Sequence, residues 1–575
     1  MKTHPMNRRD LLRAGSTLAG GCALSAAVPA WAKDIQPRGQ PQGAKRAPDV
    51  LTGPNIELTV AETHWPFDGR MGHAVTVNGT IPGPMIRLKE GENVRIAVTN
   101  HLKEDTSIHW HGLLLPFQFD GVPGVSFPGI KPGETFVYEF PIIQSGTYWY
   151  HSHSGLQEPQ GHYGSLVIDP AHPDPVGYDR EYVIVLSDYS FLHPHTVMKR
   201  LKQQPGYFNH QKQTLAGLLA GKDQPLKERI EWAAMRMDPT DISDVTGSTY
   251  TFLMNGHGPE DNWTALFNPG ERVRLRFINA AAMTIYNVRI PGLPLTVVQA
   301  DGENVKPVET DEFQITLAET YDVIVTPKDD RAFTIVAEAV DRSGAARGTL
   351  APRIGMTAPV PPLRARPLAD MRDMGMDMSL MEGMPADSMD MSMRNPANAP
   401  QVKMNPSVQM IAPMAIDRTG ERGQGLKDVD HRVLVYTDLV ALTANPDTRA
   451  PTRTKEIHLT GNMERFMWSL DGEKFSEVKA PIPFRRNERV RIVLVNDTMM
   501  AHPIHLHGHF FEVVNGHDGF HPRKHTVNVA PGGRVAFDLT ADAPGDWAFH
   551  CHLFHHMHAG MMNVVTVRPM DGGGL

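Results

Sequence analysis

The stretch Gly545-Asp546-Trp547-Ala548-Phe549-His550-Cys551-His552-Leu553-Phe554-His555-His556-Met557-His558-Ala559-Gly560-Met561 holds one of only two cysteines in 575 residues and surrounds it with imidazoles. On a strand, side chains alternate faces, so His550 and His552 point one way and Cys551 the other. One tripeptide can therefore serve metal on both sides. The thiolate of Cys551, the imidazole of His556 and the thioether of Met561 supply a Cys, a His and a Met. One more histidine would complete a blue-copper electron-transfer site. The two flanking histidines need a different metal and further partners.

Those partners exist at three other places: His109-Trp110-His111-Gly112, His151-Ser152-His153 and His502-Pro503-Ile504-His505-Leu506-His507-Gly508. Each repeats the alternation that puts two imidazoles on one strand face. Three further triplets, His193-Pro194-His195, His507-Gly508-His509 and His556-Met557-His558, are not all ligand pairs, and the first reads as a polar turn.

The four segments in this order, HWHG, HSH, HPIHLHG and HCHxxxHxxxxM, resemble the multicopper oxidases, the group of laccases, ascorbate oxidase and bacterial cuprous oxidases. The resemblance implies copper as cofactor, four ions in all. His502, Cys551, His556 and Met561 would hold the type 1 copper, His109 and His505 the type 2, and His111, His151, His153, His507, His550 and His552 the type 3 pair. It also implies the reaction. Electrons enter singly at the type 1 copper and cross Cys551 into His550 and His552, and four electrons with four protons reduce dioxygen to water. Asp120, in Phe119-Asp120-Gly121-Val122, matches an acid that bacterial relatives place near the type 2 copper, although by itself it reads equally as a turn residue before glycine. The chain departs from the pattern at His555, where many bacterial relatives carry glutamate. A second carboxylate proton donor is therefore in question, with imidazole, which titrates near neutrality, as the substitute. Met561 as axial ligand implies a lower potential than an apolar residue would give, which favours easily oxidised donors.

Totals bound the rest. The length is too great for one core and predicts three or four domains. Two cysteines exclude a disulfide framework. A formal net charge of -8 gives no basic footprint for nucleic acid. Residues 1–32 read as an export signal: Asn7-Arg8-Arg9-Asp10-Leu11-Leu12 is a twin-arginine motif, an apolar small-residue run follows, and Ala30-Trp31-Ala32 offers a cleavage site. Cys22 is poorly placed for a lipoprotein signal. The expectation is a soluble periplasmic protein, with no membrane association after cleavage and no later segment able to span a bilayer.

Beyond a Pro/Gln/Arg-rich linker, 33–49, the chain repeats itself. Val77-Asn78-Gly79 leading to Glu90–Asn100 recurs as Met254-Asn255-Gly256 leading to Pro269–Asn279, and again as Leu470-Asp471-Gly472 leading to Asn487–Asn496. Each is a turn signal followed by an alternating strand. Three copies predict an all-β protein of three cupredoxin-like Greek-key β-sandwiches, at 50–172, 178–355 and 427–570. The second copy has Tyr286-Asn287-Val288 and Ala337-Glu338-Ala339 where the others carry histidine pairs, so it lacks copper ligands. The first and third must then face each other, with the shared metal cluster at their interface. A helical insertion near Gln211 to Met237, with Leu215, Leu218, Leu219, Ile230 and Trp232 as its apolar positions, is expected to pack.

The linker 356–426 carries nine methionines between residues 371 and 393, with Leu380 as their only aliphatic company. With no apolar face to bury, this segment is expected to be mobile, and soft thioethers suit Cu(I). Three functions compete: an oxidase of Cu(I) in copper tolerance, favoured by the Met-rich segment and the leader; a laccase-like oxidase of small phenolic donors; and a non-enzymatic periplasmic copper-sequestering protein. The His-Cys-His bridge argues against the last, since storage does not require it.

Overall fold

A computed structural model describes residues 48–376 and 393–569. The leader, nearly all of linker 33–49, and Met378, Met381, Met384, Met389 and Met391 of the Met-rich segment lie outside the described residues. Among the described residues no helix is long and apolar enough to cross a membrane.

The chain from Ala47 onward is one compact unit built almost wholly of strands. Its six principal sheets fall into three sequential pairs. The first pair, of five and four strands, is made between Val50 and Asp169; the second, of six and five, between Arg180 and Ala351; the third, of seven and five, between Ile416 and Arg568. Three cupredoxin-like sandwiches result, as the repeats predict. Alternation accounts for the strands at atomic detail. Asn93–Asn100 buries Val94, Ile96 and Val98 while its intervening side chains reach the surface. The equivalent strand of the second copy, Val273–Asn279, is buried throughout. Its two arginines are inside because they face charge: Arg274 and Arg276 pair with Asp322, and Arg276 also reaches Thr147 of the first sandwich at 2.9 Å. Buried guanidinium groups persist only when paired in this way.

The threefold repeat extends to single hydrogen bonds. Asn78-Gly79, Asn255-Gly256 and Asp471-Gly472 all have φ between 50° and 79°, the geometry of hairpin turns that needs two left-handed residues. In each, the first residue's side-chain oxygen accepts a strand N–H, from Thr59, Val185 and His458 at 2.7 to 2.8 Å. Asn100, Asn279 and Asn496 close the second strand after the turn in each copy. Each donates through its amide to main-chain carbonyls, including those of Glu104 and Ile130, of Thr284 and Ile315, and of Met500 and Val529. These amides fix the loops that lead to His109, Tyr286 and His502.

Two expectations fail. Of the insertion, Leu215, Leu219 and Ile230 are exposed and only Trp232 is buried, because the helices Leu215–Leu219 and Leu226–Ala234 are too short to present a continuous apolar stripe to the sandwich. Conversely, the described ends of the Met-rich segment do find a surface to bury. Met374 is fully buried beside Trp232, Met410 and Met499, with Met371, Met376 and Met393 packed around them.

Candidate metal centre

Strand pairing brings the histidines together. His109–His111 runs antiparallel to Gly146–His151 with His109 opposite His151, and His502–Leu506 runs antiparallel to Gly545–Cys551 with His505 opposite His550. The second copy pairs the corresponding strands antiparallel as well, with Tyr286 opposite Ala339, so the scaffold is kept and the donors are missing. The first and third sandwiches meet ring on ring: His109 stacks on His507 and His111 on His505, each pair with centroids 3.8 Å apart.

Within this interface the histidine donor atoms form three groups, two of which share His111. His111, His151 and His552 make one; His153, His507 and His550 a second; His109, His111 and His505 a third. Every group draws on both sandwiches. The six histidines expected for a type 3 pair thus separate into two sets of three, and His109 with His505 stands beside them. His507 Nε2 and His550 Nε2 lie 3.0 Å apart, two ring nitrogens aimed at one point.

The donor set fits metal. Nε2 of His109, His151, His153, His505 and His552 and both nitrogens of His111 are buried without a hydrogen-bond partner among the described residues, a costly arrangement unless a ligand takes them. Burial, reinforced by neighbouring imidazoles, holds His111, His151, His153, His505, His507 and His552 well below the usual histidine range, and His550 falls to about 4. These rings are neutral at pH 7, with lone pairs free for a cation. Three rings of the cluster have their other nitrogen held by a main-chain acceptor within 2.9 Å. His505 Nδ1 donates to His525 O at 2.7 Å, His550 Nδ1 to Cys551 O at 2.9 Å, and His109 Nδ1 to Asp120 O at 2.7 Å.

Asp120 joins two of the groups. Its Oδ2 accepts from His507 Nδ1 at 2.9 Å, and its Oδ1 lies 3.2 Å from His109 Nδ1. The turn behind it demands glycine: Gly121 has φ of 82°, and a Cβ there would stand 1.8 Å from Ile108 O. Asp120 thus sits in a glycine turn and against the interface histidines at once.

On the opposite face of Gly545–Cys551 lies the second centre. Cys551 Sγ is 3.5 Å from His502 Nδ1 and 4.0 Å from His556 Nδ1, and the two Nδ1 atoms are 3.3 Å apart. All three residues are wholly buried, as is Met561, whose carbonyl accepts the Cys551 N–H at 3.0 Å. Burial pushes the Cys551 thiol up, so a cation that binds the thiolate must displace a proton. Trp468 stacks on His556 at 3.7 Å and closes one side of the centre. His555 is buried apart from the cluster, with its N–H on Met283 Sδ, and burial lowers it to about 3.

Sequence reasoning missed three groups. Asp244, from the loop after the insertion, accepts from His556 Nε2 at 2.7 Å. Glu158 lies 2.7 Å from His151 Nδ1. Lys524 bridges Asp301 and Glu319 at 3.1 Å each, directly before His525. None belongs to a motif with regular spacing, and only the tertiary fold brings them to the metal residues.

Models of multicopper oxidase domains match residues 59–173, 180–353 and 448–571. The chain belongs to the multicopper oxidase family. It is 47% identical to the Copper resistance protein A homolog of Pseudomonas syringae pv. tomato, over 98% of this chain and 99% of that one. It is also 47% identical to Copper resistance protein A of Escherichia coli, over 90% and 93%. Among solved structures, the laccase of Botrytis aclada superposes with a TM-score of 0.62 at 22% identity, covering 91% of this chain and 88% of that one. This multicopper oxidase is thus an oxidoreductase whose cofactors are type 1, type 2 and type 3 coppers, and the two donor constellations described above fit that set. The reading as a non-enzymatic sequestering protein is set aside.

Proposed function

We propose that this multicopper oxidase couples one-electron oxidation of Cu(I) to four-electron reduction of dioxygen to water, in the periplasm, as part of copper tolerance. The twin-arginine leader and the two copper resistance relatives support the compartment and the role. In this reading His502, Cys551, His556 and Met561 hold the type 1 copper, His109 and His505 the type 2, and His111, His151, His153, His507, His550 and His552 the type 3 pair. The coppers supply an electron acceptor on one side of the Cys551 strand and the reduction of dioxygen on the other.

The chain's own part is electron transfer, orientation and proton supply. Cys551 with His550 and His552 gives a covalent route of a few bonds between the centres. Asp120 holds His507 and His109 in the tautomers that present Nε2 inward, and its carboxyl oxygens carry protons toward the site. The interface of the first and third sandwiches keeps bulk water from the ring nitrogens.

The observation that carries the Cu(I) reading lies outside His556. A cleft of about 420 Å³ is lined by Met237, Met463, Met499, Asp238 and Asp241. It adjoins the thioether cluster of Met374, Met410 and Met499. Asp241 is half-buried, and desolvation, with Asp244 and Asp238 nearby, raises it to about 8. Asp244, raised by burial to about 7, hydrogen-bonds His556. Thioethers attract a soft cuprous ion, and a bound cation would displace the protons of these carboxyls, whose charge then compensates its own. A phenol needs neither.

Replacing Met463 and Met499 together by leucine tests this, because leucine keeps the volume at small cost to stability. Oxidation of Cu(I) is expected to lose about ten-fold or more in kcat/KM, the scale on which lost metal partners act, while oxidation of a phenol stays unchanged. Equal loss of both activities, or none, would support the laccase-like reading instead. The same Met-rich surroundings fit extra Cu(I) held by the segment 371–393.

A further inference from the structure

Glu158 opens a single turn of 3-10 helix, Glu158–Gln160, seven residues beyond His151. Its Oε2 is 2.7 Å from His151 Nδ1, both side chains are essentially without solvent exposure, and Oε1 has no hydrogen-bond partner among the described residues. The turn is anchored rather than loose. Gln157 donates to Asp105 O at 2.8 Å and accepts from Thr106 Oγ1 and Ser152 Oγ at 2.7 and 2.9 Å. Trp149 stacks on the His151 ring at 4.3 Å, which leaves Nε2 as the one edge facing the cluster.

His151 Nδ1 also reaches Ser152 O at 3.1 Å, and the other interface histidines whose outer nitrogens are held use main-chain carbonyls or Asp120. Among the described residues, Glu158 and Asp120 are the only carboxylates on the interface histidines. They serve different groups: Asp120 acts on His109 and His507, Glu158 on the set of His111, His151 and His552. The second carboxylate that the sequence could not find at residue 555 is therefore present, but it comes from the turn after the second His-x-His segment.

We propose that Glu158 is a positioning residue for the type 3 pair. It shares the Nδ1–H of His151 with Ser152 O, helps to fix the tautomer with a bare Nε2, and so sets how tightly the His111, His151 and His552 set holds copper. This rests on the reading of His151 as a ligand. An outer partner of a metal-bound histidine orients the ring and raises its basicity, and losing such a partner costs about 10- to 100-fold in metal affinity or activity.

The test is copper retention. Native protein, Glu158→Gln and Glu158→Leu are loaded with copper and dialysed against graded chelator. Copper is counted by mass spectrometry, with the blue absorption reporting the Cys551 site and the near-ultraviolet absorption the type 3 pair. Unfolding of the copper-free proteins is followed in parallel. A neutral amide accepts more weakly than a carboxylate, so Glu158→Gln is expected to lose type 3 copper at about ten-fold lower chelator. Glu158→Leu is expected to lose it at about a hundred-fold lower. Blue absorption stays native, and so does the unfolding of copper-free Glu158→Gln. Native retention in Glu158→Gln overturns the proposal. So does a loss of blue and near-ultraviolet absorption together with a lowered unfolding temperature, which would mean that the residue serves the fold. If Glu158→Leu fails to fold, the glutamine variant decides alone. Native protein without trinuclear copper would overturn the ligand reading, and this proposal with it.

Discussion

Cys551→Ser is expected to abolish the blue absorption and to stop dioxygen consumption, a loss well beyond the roughly hundred-fold that follows removal of an outer ligand partner. The reason is local. Cys551 Sγ faces His502 and His556, at 3.5 and 4.0 Å, and its two chain neighbours, His550 and His552, both lie in the interface cluster. A serine oxygen is a harder donor and gives no sulfur-to-copper charge transfer. The buried hydroxyl costs about 1–3 kcal/mol if it finds no partner, which a molecule with continuous cores through its sandwiches should tolerate. Absorption from the type 3 pair should survive, because His550 and His552 keep their strand. Visible and near-ultraviolet spectra with an oxygen electrode check all three points. Turnover retained in a colourless variant would break the electron route through Cys551.

Asp120→Ala is expected to lower dioxygen reduction by about 100-fold while the blue site remains intact, since His507 loses the acceptor of its Nδ1–H and the cluster loses a carboxyl, although His109 keeps the main-chain O of residue 120. Asp120→Asn separates the two duties of the carboxyl. Asparagine can still accept from His507 Nδ1, now 2.9 Å from Oδ2, so copper content should stay near native. It cannot carry a proton at pH 7, so turnover should still fall. Stopped-flow measurement of blue-site reduction against its reoxidation by dioxygen distinguishes them: reduction by donor unchanged, reoxidation slowed in both variants. A variant slowed only in reduction would place Asp120 outside the oxygen chemistry.

Much of this architecture was legible in the sequence because it rests on short periods. Two-residue alternation gives the His-x-His faces, and Asn-Gly or Asp-Gly turns followed by strands give the three sandwiches. The copy that ends in Ala337-Glu338-Ala339 gives itself away as the one without donors. What was not legible depends on register between strands far apart in the chain. The six histidines expected of a type 3 pair could be named but not divided, because the division into His111, His151, His552 and His153, His507, His550 is set by how the first and third sandwiches dock. Asp244 and Glu158 come from a loop after an insertion and from a 3-10 turn, where no periodicity ties a side chain to a face. The methionines misled for a related reason. Their own segment offers no apolar face, but Trp232, Met410 and Met499 from elsewhere complete one around Met374.

The central claim is that single electrons from Cu(I) collect across Cys551 and leave together to dioxygen. The direct measurement is the ratio of Cu(I) oxidised to dioxygen consumed by the copper-loaded protein, with peroxide assayed in the same vessel. The account predicts four cuprous ions per dioxygen and no peroxide. A ratio of two with stoichiometric peroxide, or no Cu(I)-dependent oxygen uptake, would contradict it.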